Sequence, residues 1–294
     1  MVITLCVAII ILFVKNSSLV ITGASKGLML WYKNLLPLLL PFMLISGILV
    51  GRINGLQRSQ RGNSRIAILS TIFIGIFCGY PLGARVCSDF SMSGSYDRKT
   101  GNLIIALCNN SSPMFISGFV ARGLLNNLIP FWHIILYIYI PYFIILALNI
   151  LFAFLFSSPK DKSSVIIPIQ EETSDLSGYL MNTVSQITMV GIYVMLCSIV
   201  IEFVYIIPGI PDNLSLLLSG VIEITRGTTD IMCFSSWPLK IKAALIIALT
   251  SFGGISSVFQ TQVVIQQSEL SIASYILQKI ICSISTFAFA VLFI

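Results

Sequence analysis

Two pairs of opposite charges share one spacing in a chain that has few charged residues. Arg85 and Asp89 are four positions apart, and Arg226 and Asp230 repeat that spacing. Residues four apart share a helix face, so each pair could be a local salt bridge, although arginine before the acid is the less favourable order. Charges inside a membrane segment often mark functional sites. Two such arginines could instead hold an anionic group between them.

Three short segments combine glycine, proline and small polar residues with long apolar runs: GYPLGA (79–84), CNNSSP (108–113) and SFGGISS (251–257). Such residues break helices, and broken backbone within a membrane is tolerated only where it is buried in protein or lines a wet cavity. The alternative is a simple turn whose glycines allow close helix packing. We expect these segments and EITRG (223–227) to form a solute-binding site from Gly79, Tyr80, Pro81, Gly83, Arg85, Asn109, Asn110, Ser111, Ser112, Thr225, Arg226, Ser251, Gly253, Gly254, Ser256 and Gln260.

Glu223 lies between apolar neighbours, three residues before Arg226. An acid at membrane depth can pair with a nearby arginine, bind a coupling cation or accept a proton. These roles remain open for Glu223, and Asp89 and Asp230 are likewise assigned to coupling or to ion pairs.

The sequence offers little for catalysis or metal binding. The seven cysteines have no CxxC spacing, His133 is the one histidine, and no GxSxG, HExxH or phosphate-loop pattern occurs. Metal sites and nucleophilic centres depend on such spacings. We therefore expect no enzyme activity, no metal and no cofactor, and we interpret the cysteines as small apolar residues.

The composition is that of an integral membrane protein. Of the 294 residues, 56% are hydrophobic and 10% are charged, and the mean hydropathy is +0.97. The apolar runs are long enough for membrane helices and do not alternate as barrel strands would. The net charge of +6 is scattered between these runs, which favours lipid head groups over nucleic acid as its partner. A homo-oligomer remains open.

The pattern predicts an all-α polytopic bundle of two halves, with a first half at 1–157, a polar linker at 158–178 and a second half at 179–294. The apolar start is expected to be a short retained helix. A loop at 51–65 carries four arginines and no acid, so the positive-inside rule assigns it to the cytoplasm.

The two halves show signs of an internal repeat. LIIAL occurs at 103–107 and at 245–249, and a shift of 141 aligns Arg85 with Arg226 and Asp89 with Asp230. Three clear spans separate the copies, so the repeats face opposite ways if the segment at 214–233 is re-entrant, and the same way if it crosses fully. Inverted repeats with broken helices are typical of secondary transporters.

Over residues 24–262 the chain resembles the sporulation integral membrane proteins of the YlbJ type, a branch of the proteins that carry the nucleoside-recognition gate domain. The resemblance is carried by KGLMLWY, LLPLLLPF, GYPLGA, NNSSPMFI, EITRG and FGGIS followed by Gln260. It implies a multi-pass protein of spore-forming bacteria, in the cell membrane or a membrane around the forespore, distantly related to concentrative nucleoside transporters. It also implies transport of a small polar solute, anionic such as dipicolinate or nucleoside-like. The alternative is a non-transporting scaffold for assembly of the spore envelope.

Overall fold

The computed structural model describes residues 2–59, 64–156 and 176–294, and the regular structure in these ranges is helical. Long apolar runs favour helices in a bilayer because a helix satisfies its own backbone hydrogen bonds. By length and composition, helices in the described residues provide six candidate membrane spans: Ser17–Ile48, Arg98–Leu124, Phe131–Leu151, Leu180–Tyr205, Leu239–Ile265 and Ile272–Phe293. The predicted all-α polytopic membrane fold is confirmed.

The first half begins with three helices, α1 to α3, that precede its repeat. Helices α1 to α8 are Val2–Lys15, Ser17–Leu30, Leu36–Ser59, Ser64–Cys78, Leu82–Met92, Arg98–Cys108, Pro113–Phe115 and Phe131–Phe156. A π-helical turn, Trp31–Leu35, joins α2 to α3, and a second π-helical stretch, Ile116–Leu124, continues α7.

The second half begins with a long helix that connects the two repeats. Helices α9 to α14 are Leu176–Tyr205, Asp212–Ile222, Ile224–Cys233, Leu239–Phe252, Gly254–Ile265 and Ile272–Phe293. Helix α9 packs closely on α2, where a Cβ atom on Gly23 or Gly27 would lie within 2.8 Å of the α9 backbone. Small residues let two membrane helices approach in this way.

Each half contains the same order of elements: two short helices, an interrupted span and an uninterrupted span. The short helices are α4 and α5 in the first half and α10 and α11 in the second. Helices α10 and α11 turn back on each other and pack in close contact. A Cβ atom on Gly227 would overlap the backbone of Gly220. Each is about 16 Å long at 1.5 Å per residue, roughly half of the hydrocarbon core. The α10–α11 hairpin is therefore too short to cross as two full spans.

Between the hairpins the chain passes through the interrupted α6–α7 span, α8 and α9. If the α4–α5 hairpin is re-entrant like α10–α11, three crossings between the two hairpins reverse the direction of the second one. The order of elements thus favours inverted repeats, the first of the two orientations that the sequence left open.

Two predicted boundaries need correction or fall outside the described residues. The expected loop at 51–65 is wrong in extent, because α3 continues to Ser59 and α4 begins at Ser64. Residues 60–63 are outside the described ranges. Most of the predicted linker at 158–178 is also outside them, and α9 begins at Leu176. The cytoplasmic side of the 51–65 segment stays a prediction.

Candidate solute-binding cavity

The helix interruptions of both halves meet around one partly open cavity of about 590 Å³, a volume that includes its open side. Two polar residues come from the first half, Tyr80 and Ser112. The second half contributes Glu223, Thr225, Gly253, Ser256 and Gln260. Residues far apart in the chain, drawn from all four predicted segments, therefore share one cavity.

The cavity has an apolar wall opposite these polar residues. The π-helical turn and α3 supply Leu35, Leu39, Phe42 and Met43, and α9 supplies Val190 and Val194. Among the described lining residues, Glu223 is the one carboxylate, and none is basic. An apolar wall facing a few placed polar groups is the usual composition of a small-molecule site.

The first break, residues 109–112 between α6 and α7, is held open by asparagine side chains. Asn109 is fully buried; its Oδ1 accepts a hydrogen bond from the Ala84 amide at 3.2 Å. Its Nδ2 donates to Thr261 Oγ1 at 2.7 Å and to Tyr275 at 3.1 Å. The Asn110 carbonyl accepts the Tyr80 amide at 2.9 Å, so this break is fastened to the tip of the α4–α5 hairpin. The Asn109 side chain thus satisfies an amide in the first turn of α5 and ties the first break to α13 and α14.

The second break, at Gly253 between α12 and α13, depends on glycine geometry and on hydroxyl groups. Gly253 and Gly254 have φ values of 91° and 78°, which side-chain-bearing residues rarely adopt. The carbonyl of Ser251 accepts the Tyr142 hydroxyl at 2.7 Å. The carbonyl of Thr250 accepts Ser111 Oγ at 2.8 Å, which ties the two breaks together. The residues after this break, Ser256 and Gln260, turn toward the cavity.

Glu223 forms the tip of the α10–α11 hairpin. Its backbone is extended, and its carboxylate accepts the amide of Arg226 at 2.7 Å as the N-cap of α11. Capping places a negative charge at the positive end of a helix, which stabilises both. Glu223 is 2% exposed and lines the cavity. Its hydrogen bond with Arg226 is to the backbone amide, and the roles that the sequence left open for Glu223 stay predictions.

The guanidinium of Arg226 belongs to an ion-pair network outside the cavity lining. Its Nε lies 2.7 Å from Asp230, and its Nη2 lies 3.0 Å from Glu202 on α9. Glu202 also pairs with Lys26 on α2 at 2.8 Å. The local Arg226–Asp230 salt bridge is therefore present, and the expected pairing of Arg226 with Arg85 around one anion is not supported by the cavity.

The structure separates the predicted site residues into three groups. Those that line the cavity are Tyr80, Ser112, Glu223, Thr225, Gly253, Ser256 and Gln260. Those that are buried behind the lining or in the packing of the breaks are Gly79, Gly83, Asn109, Asn110, Ser111, Ser251 and Gly254. The remaining residues, which are not part of the described lining, are Pro81, Arg85, Asp89, Arg226 and Asp230.

Two ionisable residues next to these elements were not anticipated. Lys279 on α14 is fully buried, and its Nζ lies 3.3 Å from both the Asn109 carbonyl and Asn110 Oδ1. Glu202 lies near the end of α9. A lysine within a 22-residue apolar helix often marks a functional position, so Lys279 could have been selected from the sequence. The partners of Glu202 come from distant segments and could not be deduced from spacing.

Within the described ranges no group of three His, Cys, Asp or Glu side chains is placed to share a metal ion. What the lining offers is hydrogen bonding: a carboxylate, a carboxamide and four hydroxyl-bearing residues, Tyr80, Ser112, Thr225 and Ser256. The Oε1 atom of Gln260 is buried without a hydrogen-bond partner. A buried acceptor of this kind can be satisfied by a water molecule or by a ligand that donates a hydrogen bond.

Comparison with known proteins supports the resemblance deduced from the motifs. The chain is 31% identical over 113 residues to the sporulation integral membrane protein YlbJ of Bacillus subtilis (strain 168). The match covers 35% of this chain and 28% of the length of that protein. No family model and no solved structure matches. Over about a third of its length, the chain is therefore similar to a sporulation membrane protein.

Proposed function

We propose that this chain is a carrier that moves a small polar solute across a membrane during spore formation, by a mechanism like that of secondary transporters. The observation that supports it is the cavity, where interruptions from both halves supply Tyr80, Ser112, Glu223 and Gly253. Secondary transporters bind their solutes where broken helices of inverted repeats meet. The sporulation role is carried over from the protein that the chain resembles.

The charge of the cavity bears on which solute it would accept. Glu223 and the unpartnered carbonyl of Gln260 are both acceptors, so they would receive hydrogen bonds from hydroxyl, amide or amino groups. The apolar wall with Phe42 and Met43 would contact a ring or an alkyl part. A nucleoside-like solute meets both requirements. A dicarboxylate such as dipicolinate would have to bring a proton or a cation to offset Glu223.

The direct test is binding and uptake with purified protein in lipid vesicles, screening nucleosides and dicarboxylates together. Glu223→Gln keeps an oxygen for the N-cap but removes the charge, and we expect at least a tenfold loss of affinity, since hydrogen bonds to charged groups contribute about 1.5–3 kcal/mol. Glu269→Gln is its control, because Glu269 is exposed and pairs loosely with Arg98 at 3.7 Å. Saturable binding unchanged by Glu223→Gln would contradict this site.

A second matched pair tests the polar wall. Gln260→Leu removes the unpartnered carboxamide from the cavity, whereas Gln262→Leu alters an exposed position two residues later on α13. Only the first change should weaken binding.

Arg226→Gln should lower stability through its ion pairs with Glu202 and Asp230, but should leave the order of preference among solutes unchanged. Absence of binding and uptake for every solute, with correct membrane insertion, would favour the scaffold alternative.

A further inference from the structure

Lys279 places its amino group deep in the bundle, among neutral groups. The side chain is 0% exposed, and Nζ lies 3.3 Å from the Asn109 carbonyl oxygen and 3.3 Å from Asn110 Oδ1. It also lies 5.3 Å from the ring centre of Tyr142 and 5.8 Å from that of Tyr275. These four partners are uncharged. A buried ammonium is costly unless its surroundings replace water, so this arrangement indicates a specific role.

The oxygen atoms around Lys279 are those exposed by the first break. Helix α6 ends at Cys108, and the carbonyl of Asn109 follows at its negative end. In broken membrane helices, carbonyl groups of this kind coordinate monovalent cations. Asn109, Asn110 and the two tyrosine rings together form a small neutral site of the type that attracts a cation. In this chain the ammonium of Lys279 already occupies it.

The second break shows that a broken helix does not require an ammonium. There the carbonyl of Ser251 accepts the Tyr142 hydroxyl at 2.7 Å, and the carbonyl of Thr250 accepts Ser111 Oγ at 2.8 Å. Neutral hydroxyl donors are sufficient to satisfy these groups. The charge at the first break therefore needs a reason beyond backbone hydrogen bonding.

We propose that the ammonium of Lys279 is a built-in substitute for a bound sodium or potassium ion at the first break. The chain then needs no metal cation at this position, either to hold the break open or to drive the proposed carrier. The consequence for transport rests on the proposed function. The occupation of the site by Lys279 does not, and it can be tested by stability alone.

The test compares apparent melting temperatures of purified protein in NaCl, KCl and choline chloride at equal ionic strength. The wild-type protein should melt at the same temperature in all three. Lys279→Met keeps a chain of similar size but vacates the site, so the variant should be less stable in choline chloride. It should regain on the order of 5 °C in sodium or potassium, because an ion that binds only the folded state raises its stability.

Lys242→Met is the matched control. Lys242 also donates to two carbonyl groups at a helix end, those of Met232 at 3.0 Å and Phe234 at 3.1 Å, but it is only half-buried. Water can replace its ammonium, so no salt should stabilise that variant selectively. Lys279→Arg retains the charge and should also show no preference among the salts.

Three results would overturn the inference. A selective stabilisation of the wild-type protein by sodium or potassium would show that the site is not already filled. Equal melting of Lys279→Met in all salts, or its aggregation in every salt, would show that a metal cation cannot replace the ammonium. The proposed function fails separately. If the melting temperatures behave as expected but no solute binds, the carrier proposal is wrong. Solute uptake that requires sodium in the wild-type protein would contradict only the role of Lys279.

Discussion

The first and second breaks occur at equivalent points of the two halves, but different groups satisfy their carbonyls. At the first break the Asn109 carbonyl accepts from the amino group of Lys279 and the hydroxyl of Tyr275, and the Asn110 carbonyl accepts the Tyr80 amide. The second uses glycines at positive φ and hydroxyl groups such as that of Tyr142. The same interruption of a helix can thus be stabilised by a buried network or by backbone geometry. Both breaks are bonded to other elements, and both supply residues to the cavity lining, Ser112 from the first and Gly253 from the second.

The largest expected difference between the breaks concerns a glycine of α5 that packs against the first break and a glycine that lies within the second. A Cβ atom on Gly83 would overlap the carbonyl of Cys108 at the end of α6, so Gly83→Ala should cost about 3 kcal/mol, the upper end for overpacking, or prevent folding. At the second break, Gly253→Ala meets only the movable Ser257 hydroxyl and a backbone strain of about 1–2 kcal/mol. Melting of the purified variants in detergent measures both.

Gly47→Ala is the control for these changes, since its Cβ atom would lie 3.5 Å from the side chain of Thr183, an ordinary contact. It should melt close to the wild-type protein. If Gly253→Ala proved more damaging than Gly83→Ala, the second break would be the more tightly packed of the two, and the comparison would be reversed.

A smaller difference is expected when a hydrogen-bonding side chain is removed from each break. Asn109→Ala leaves the buried Ala84 amide without its acceptor and removes the donor to Thr261 and Tyr275, so we expect a loss of about 3 kcal/mol. Ser251→Ala removes a hydroxyl but keeps the carbonyl that accepts Tyr142, and it should cost about 1 kcal/mol. Equal melting temperatures for the two variants would argue against a network at the first break.

Much of this comparison follows from the sequence, because polar and helix-breaking residues inside apolar runs have few uses. Adjacent asparagines at 109 and 110 and paired glycines at 253 and 254 predicted interruptions, and both are present. Ser112 and Gly253, from these two interruptions, line the same cavity as Glu223. That these residues bind a solute stays a prediction.

The errors of the sequence interpretation concern the direction of long side chains. Spacing placed Arg226 on a helix face with Asp230, but it could not show that the guanidinium also reaches Glu202 and lies outside the cavity lining. Nor could it show that Lys26 on α2, 176 residues before Glu202, pairs with the carboxylate of Glu202. Such contacts depend on how helices pack, which periodicity alone does not determine.

The central claim is that the two halves are inverted repeats that meet at one cavity, and membrane topology tests it without knowledge of the solute. Reporters placed after Asp97, between α5 and α6, and after Trp237, between α11 and α12, mark equivalent loops of the two halves. Inverted repeats require the two positions to lie on opposite sides of the membrane, which is the result we predict. Finding both reporters on the same side would contradict the account.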